Sequence, residues 1–237
     1  MKIRGERECK ECGARWSYYE TGAVECPECG GLRSVGVDER KEHTASAVTL
    51  DLTAMRNAVG DDAPIRDAAS DAAEACAEYC RKAGFIDAGS LKPLSETYLA
   101  AAELRYVGEE LARRMRHSED EELYFLSLLR EADQDGRPEP AAVPGSLQAA
   151  RGLGVARAVE EYVHDLRTHL DDDADPMLRS VLSGIAERRK RIEALDGDVD
   201  PSAAETLVRA VRDAAEYVQT GDETALTTAR SRLDDVE

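Results

Sequence analysis

The sequence predicts a mainly α protein in which a small N-terminal β zinc ribbon precedes an irregular multi-helix bundle. Two observations carry that fold class. Two Cys-x-x-Cys pairs, Cys9–Cys12 and Cys26–Cys29, each followed by glycine, bracket thirteen residues in a stretch of strand formers and turns. From about Ala45 nearly to the end of the sequence, apolar residues recur at spacings of three and four between helix start signals. The expected division is residues 1–40 for the ribbon and 45–237 for an acidic helical domain. The Pro- and Gly-rich stretch "DQDGRPEPAAVPGS", Asp133–Ser146, is either a long loop or the boundary between two halves, 45–133 and 144–237.

In the ribbon, "ARWSYY" (Ala14–Tyr19) reads as a strand, Glu20–Gly22 as a turn and "LRSVGV" (Leu32–Val37) as a second strand. Two residues between paired cysteines let a tight turn aim both sulfurs at one ion, and the following glycine tolerates the positive φ that closes the turn. Pro27 presets φ in the second knuckle. The thirteen intervening residues suffice for a two-stranded hairpin that returns the second knuckle to the first. Cys9, Cys12, Cys26 and Cys29 are therefore the expected ligands of a tetrahedral Zn²⁺, with iron in a rubredoxin-like arrangement as the rival metal. A thioredoxin-like dithiol fits poorly, since it needs a single pair beside a strand and crossover helix. Four thiolates leave no position for water or substrate, so the ion is expected to be structural.

The first long helix is expected in "DDAPIRDAASDAAEACAEYCRKAG" (Asp61–Gly84), opened by an acidic cap with Pro64 in the first turn. Further helices are expected at Leu94–His117, Glu119–Asp133, Ser146–Leu170, Pro176–Leu195, Pro201–Thr220 and Asp222–Val236. Asp175-Pro176 and Asp200-Pro201 each place an Asp N-cap before a Pro at the first helical position. In the helix from Pro201, Leu207, Val208, Val211, Ala214 and Val218 mark a buried face. Glu205 with Arg209, Arg209 with Asp213 and Arg212 with Glu216 lie four apart and read as a solvated face.

The chain has 49 Asp and Glu against 31 Lys and Arg, a net charge of −18, and its cations are 25 Arg and only 6 Lys. Such a carboxylate excess resembles the proteins of a salt-loaded cytosol, where net charge maintains solubility. No run of about 18 apolar residues occurs, and "MKIRGERECK" has no apolar signal region, so the expected compartment is the cytoplasm, without membrane contact. Six cysteines in such a setting point to metal rather than to a disulfide framework. Residues 1–42 carry eight Lys or Arg against nine Asp or Glu, which leaves nearly all the negative charge on the helical remainder.

The pattern C-x-x-C-G … W-x-Y-Y-E-T-G-A-V-E-C-P-E-C-G, about 35 residues, resembles the N-terminal zinc ribbon of transcription factor IIB and its archaeal relatives, which docks on RNA polymerase. The resemblance implies zinc ligation by Cys9, Cys12, Cys26 and Cys29. The helical remainder departs from that factor, with no pair of repeated five-helix cyclin units. As a whole the chain resembles uncharacterised haloarchaeal proteins that contain a zinc ribbon of this type.

Other residues read as structural. Cys76 and Cys80 share a helix face with Ile65, Ala69, Ala72 and Ala73, where cysteine behaves as a small apolar residue. Glu161-x-x-His164 matches half of a di-iron bundle motif, but His43, His117 and His169 supply no second copy. "ARRMRH" (Ala112–His117) and "ERRKR" (Glu187–Arg191) lie late in expected helices, where cations favour the helix dipole. No phosphate loop, nucleophile elbow or His-Glu-x-x-His occurs. The expected function is therefore a non-enzymatic zinc-ribbon protein acting as a protein-interaction module, with Trp16, Tyr18 and Tyr19 as contact candidates. No small-molecule substrate is expected. A transcription-associated polymerase or nucleic-acid adaptor is the second expectation, and a helical di-metal enzyme the third.

Overall fold

A computed structural model describes residues 1–61, 63–170 and 175–234. The ribbon comprises β1 (Lys2–Ile3), β2 (Glu6–Cys9), β3 (Arg15–Ser17), one helical turn α1 (Tyr18–Thr21), β4 (Ser34–Gly36) and β5 (Lys41–Glu42). β2 is the centre of an antiparallel sheet of order β3-β2-β4, with Arg7 opposite both Trp16 and Gly36. β1 pairs antiparallel with β5, Ile3 opposite Lys41, which ties the start of the ribbon to its end. The segment between the knuckles does not form its own hairpin as expected. Instead β2 and β3 flank the first knuckle, and β4 joins β2 only after the second. Tyr18 and Tyr19 leave the strand because the chain turns into α1, which Gly22 closes in the left-handed region with its amide donating to the Tyr18 carbonyl.

The remainder is helical: α2 (Thr53–Gly60), α3 (Ile65–Lys82), a small hairpin β6 (Ile86–Asp87) and β7 (Ser90–Leu91), then α4 (Glu96–Arg113) and α5 (Glu119–Glu131). α6 (Gln148–Leu170), α7 (Pro176–Ala194), α8 (Pro201–Thr220) and α9 (Glu223–Asp234) follow. The Asp caps form as the sequence requires. Asp175 accepts from the amides of Met177 at 2.8 Å and Leu178 at 3.0 Å, and Asp200 from Ser202 at 2.7 Å. Ser118 and Glu121 close a reciprocal capping box on α5. α3 differs from expectation, since Pro64 itself is the N-cap and no side chain caps it. Asp62, part of the expected acidic cap, and Val236, the expected end of the last helix, lie outside the described residues.

Two apolar clusters form the core. One gathers Phe85, Tyr98 and Tyr162 with the inner faces of α6, α7, α8 and α9, and the other joins Leu52 and Cys76 to Leu104, Phe125 and Leu128. α4 serves both, through Tyr98, Leu99 and Ala102 on one side and Ala100, Ala101 and Leu104 on the other. α6 approaches α4 so closely at Gly154 that a Cβ there would lie 2.6 Å from the Glu103 Cα.

Between the clusters lies a buried charge network that the sequence did not announce. Arg151 sits 3.2 Å from Glu103 and 3.4 Å from Glu205, and also donates to the Pro138 carbonyl at 2.9 Å. Tyr124 donates to Glu103, and Arg137 pairs with Glu205 and reaches Glu96 at 3.3 Å. The Asp133–Ser146 stretch is thus clamped to α4 and α8 by Arg137, and to α6 by the Arg151 bond to Pro138. Glu205 and Arg212 do not decorate a solvated face of α8. Glu205 is buried against the two arginines, and Arg212 donates to the Leu94 carbonyl and to Glu96, both at 2.8 Å. Burial of a Glu is tolerated here because paired arginines replace its water.

Candidate metal centre

The two knuckles are built alike. In the first, the Cys9 amide donates to Ala14 and the Gly13 amide to Cys9. In the second, the Cys26 amide donates to Gly31 and the Gly30 amide to Cys26. Gly13 at φ 77° and Gly30 at φ 70° occupy the left-handed region that each turn requires. The result is four sulfurs within 4.8 Å of one another. Cys9 Sγ lies 3.7 Å from Cys29 Sγ, and Cys12 Sγ 3.6 Å from Cys26 Sγ. A tetrahedron with Zn–S bonds of about 2.3 Å has edges of about 3.8 Å, so the set is spaced for one tetrahedral ion.

The electrostatics fit a cation. Backbone amides of Cys12 and Glu11 bring the Cys9 thiol down to about 7. The Gly31 amide favours the Cys29 thiolate, but the three other thiols outweigh it and push Cys29 up to about 12. Four crowded thiols cannot all ionise alone, and a central dication supplies the charge that lets them. With four thiolates bound, the ion has no open position for chemistry. Cys9 and Cys26 are buried, whereas Cys12 and Cys29 face solvent.

The aromatic residues between the knuckles are absorbed by the protein itself. Trp16 is only 7 % exposed, packs with Cys9 and Cys26, and donates its indole N–H to the Ala23 carbonyl at 2.9 Å. This removes Trp16 from the contact candidates. Tyr19 lies over His43 with ring centroids 4.9 Å apart, and its hydroxyl donates to the Ile3 carbonyl. Tyr18 is half-buried with its ring 6.4 Å from His43.

His43 begins the junction with the bundle. Its Nδ1 accepts from the Ala88 amide at 3.3 Å, and burial holds its pKa below the ordinary histidine value. Beyond it, Thr44 and Ala45 donate their amides to the Ile86 carbonyl. The Thr44 hydroxyl donates to Asp165 at 2.5 Å, and the same carboxylate accepts from the Phe85 amide at 2.7 Å. Asp165 of α6 therefore pins the junction, a role no spacing in the sequence signals.

The remaining candidates fall into ordinary packing. Cys76 is buried in the core, and burial pushes the thiol of half-buried Cys80 up to about 12. Glu161 pairs with Arg157 while His164 is exposed, and among the described residues the four ribbon cysteines are the only cluster of three or more metal-ligating side chains. In "ARRMRH", Arg113 and Arg114 both pair with Glu110 at 2.7 Å; in "ERRKR", Arg189 pairs with Glu193 at 2.6 Å. Among the described residues no helix is long and apolar enough to cross a membrane.

No curated protein and no solved structure matches the chain. A family model does, and it runs from the ribbon through the junction into α9: by its match to residues 1–233, the chain belongs to the family of unknown function DUF7117.

Proposed function

We propose that the chain is a non-enzymatic zinc protein whose ribbon, held by Zn²⁺ on Cys9, Cys12, Cys26 and Cys29, presents exposed valine and leucine side chains to a protein partner. The observation that carries this reading is the placement of exposed apolar side chains. Val24 at 49 %, Leu32 at 73 %, Val35 at 37 % and Val37 at 44 % exposure all lie in the ribbon. Side chains alternate across a strand. In β2 and β3, Cys9 and Trp16 take the inner face of the sheet, while Val35 lies opposite Glu8 and shares the outer face with it. The ribbon's charges also nearly cancel, eight Lys or Arg against nine Asp or Glu in residues 1–42, so its net charge repels a partner of either sign little.

The knuckle spacing supports zinc and a ribbon of the transcription factor IIB type. The Arg-rich, Lys-poor acidity supports a haloarchaeal cytoplasm. Affinity isolation from a high-salt lysate, with nuclease treatment and mass spectrometry, tests the reading. The wild-type chain retains a defined protein that a Val35→Ser, Val37→Ser double variant loses while keeping its metal. An identical set of captured proteins from both chains would contradict it. Polymerase subunits among the captured proteins would favour the transcription-adaptor reading.

A further inference from the structure

Away from the ribbon, α3 and α6 both pack on α4, and a cleft of about 530 Å³ opens where their charged faces meet over it. Glu74, Glu78 and Arg81 of α3 line it, with Arg105 of α4 and with Arg157 and Glu161 of α6. The small side chains of Ala77 and Cys80 leave the space between them, beside buried Tyr98.

The ion pairs these residues make run along single helices. Glu78 pairs with Lys82 at 2.5 Å, Arg105 with Glu109 at 3.2 Å through its Nε, and Arg157 with Glu160 at 2.6 Å and with Glu161. Among the described residues Glu74 and Arg81 form no ion pair, and none crosses the cleft. Arg157 spends both terminal nitrogens on Glu160 and Glu161, whereas Glu74 and Arg81 are thus unpaired and Arg105 engages only its Nε, so bonding capacity of both signs remains along the cleft. A simple anion gains from the arginines but meets three carboxylates, and a simple cation meets the reverse. Only a molecule with both charges uses both sets.

The geometry points to a binding site for a small zwitterion, of the class of a free α-amino acid or dipeptide, in the cleft between α3, α4 and α6. Its carboxylate takes Arg81 and Arg105, whose terminal nitrogens are uncommitted, and its ammonium takes Glu74 and Glu78. The uncharged surface of half-buried Cys80 and buried Tyr98 limits screening from below.

The test is a titration of the ¹⁵N-labelled full chain with glycylglycine, alongside separate titrations with sodium acetate and methylammonium chloride. Glycylglycine is expected to shift the amide resonances of Ala77, Cys80 and Tyr98 saturably, with acetate and methylammonium at least tenfold weaker. Arg81→Gln and Arg105→Gln are each expected to weaken glycylglycine tenfold. Ala77→Leu, which fills the space without changing charge, abolishes the shifts. Acetate binding as tightly as glycylglycine, no saturable shift with glycylglycine, or unaltered binding in Ala77→Leu would each overturn the proposal. The wild-type comparison of the three compounds decides the matter even if a variant misfolds.

Discussion

In the ribbon the buried apolar set is Cys9, Trp16 and Cys26 with Ala14 packed beside it, whereas the bundle buries two large clusters that meet along α4. A unit of some forty residues with three buried apolar side chains is below the size at which burial alone offsets chain entropy. A structural Zn²⁺ contributes on the order of 10 kcal/mol in small fingers, enough to change that balance. The bundle has burial to spare, and even accommodates Glu103 and Arg151 in its interior. The two regions should therefore fail separately: the ribbon with its metal, the bundle with its packing and its buried charges.

The largest effect expected is from Cys26→Ser. It removes a buried ligand, so the chain should lose its bound ion and the ribbon should become protease-sensitive, while far-UV circular dichroism retains the helical signal. Next in size is Arg151→Met, which leaves Glu103 and Glu205 short of a cation inside the bundle. Breaking a buried pair from one side costs about 3–5 kcal/mol. Thermal denaturation should show the bundle melting about 10 °C lower, with metal content unchanged. A variant that melts like wild type would mean the network is hydrated and weak.

The smallest effect concerns the junction that joins the two regions. Burial holds the folded His43 pKa below its unfolded value of 6.5, so the unfolded chain takes up a proton that the folded chain refuses. Stability is full above 6.5 and declines as pH falls through that value towards the folded pKa. The ribbon thiolates also bind protons on acidification, so the share belonging to His43 is the part of the pH slope that His43→Gln removes. An unchanged slope in that variant would place the whole pH response at the metal.

Most of this architecture was legible because local signals carry it. Asp175 and Asp200 announced α7 and α8, and the knuckles announced the cysteine cluster, since capping and tight turns are decided within a few residues. What escaped was decided at long range. The β6–β7 hairpin has two residues per strand and turns at Ala88, a non-glycine residue with φ of 51°, so no alternation or turn dipeptide marks it. Glu205 reads as solvent-facing by its spacing to Arg209. Its partners Arg137 and Arg151 lie more than fifty residues away, and only the packing of α6 on α4 and of α8 on α6 brings them together. The fate of Trp16 and Tyr19 was equally hidden, because a small ribbon that folds its aromatics inward shows the same sequence as one that displays them.

The most direct test of a metal-held ribbon on a self-sufficient bundle is hydrogen exchange of the full chain before and after chelation, paired with elemental analysis. The account predicts one zinc per chain. It also predicts that chelation abolishes amide protection in residues 1–42 and leaves α4, α6 and α8 as protected as before. A chelated chain that keeps its ribbon protection, or one whose helices lose theirs along with the ribbon, would contradict it.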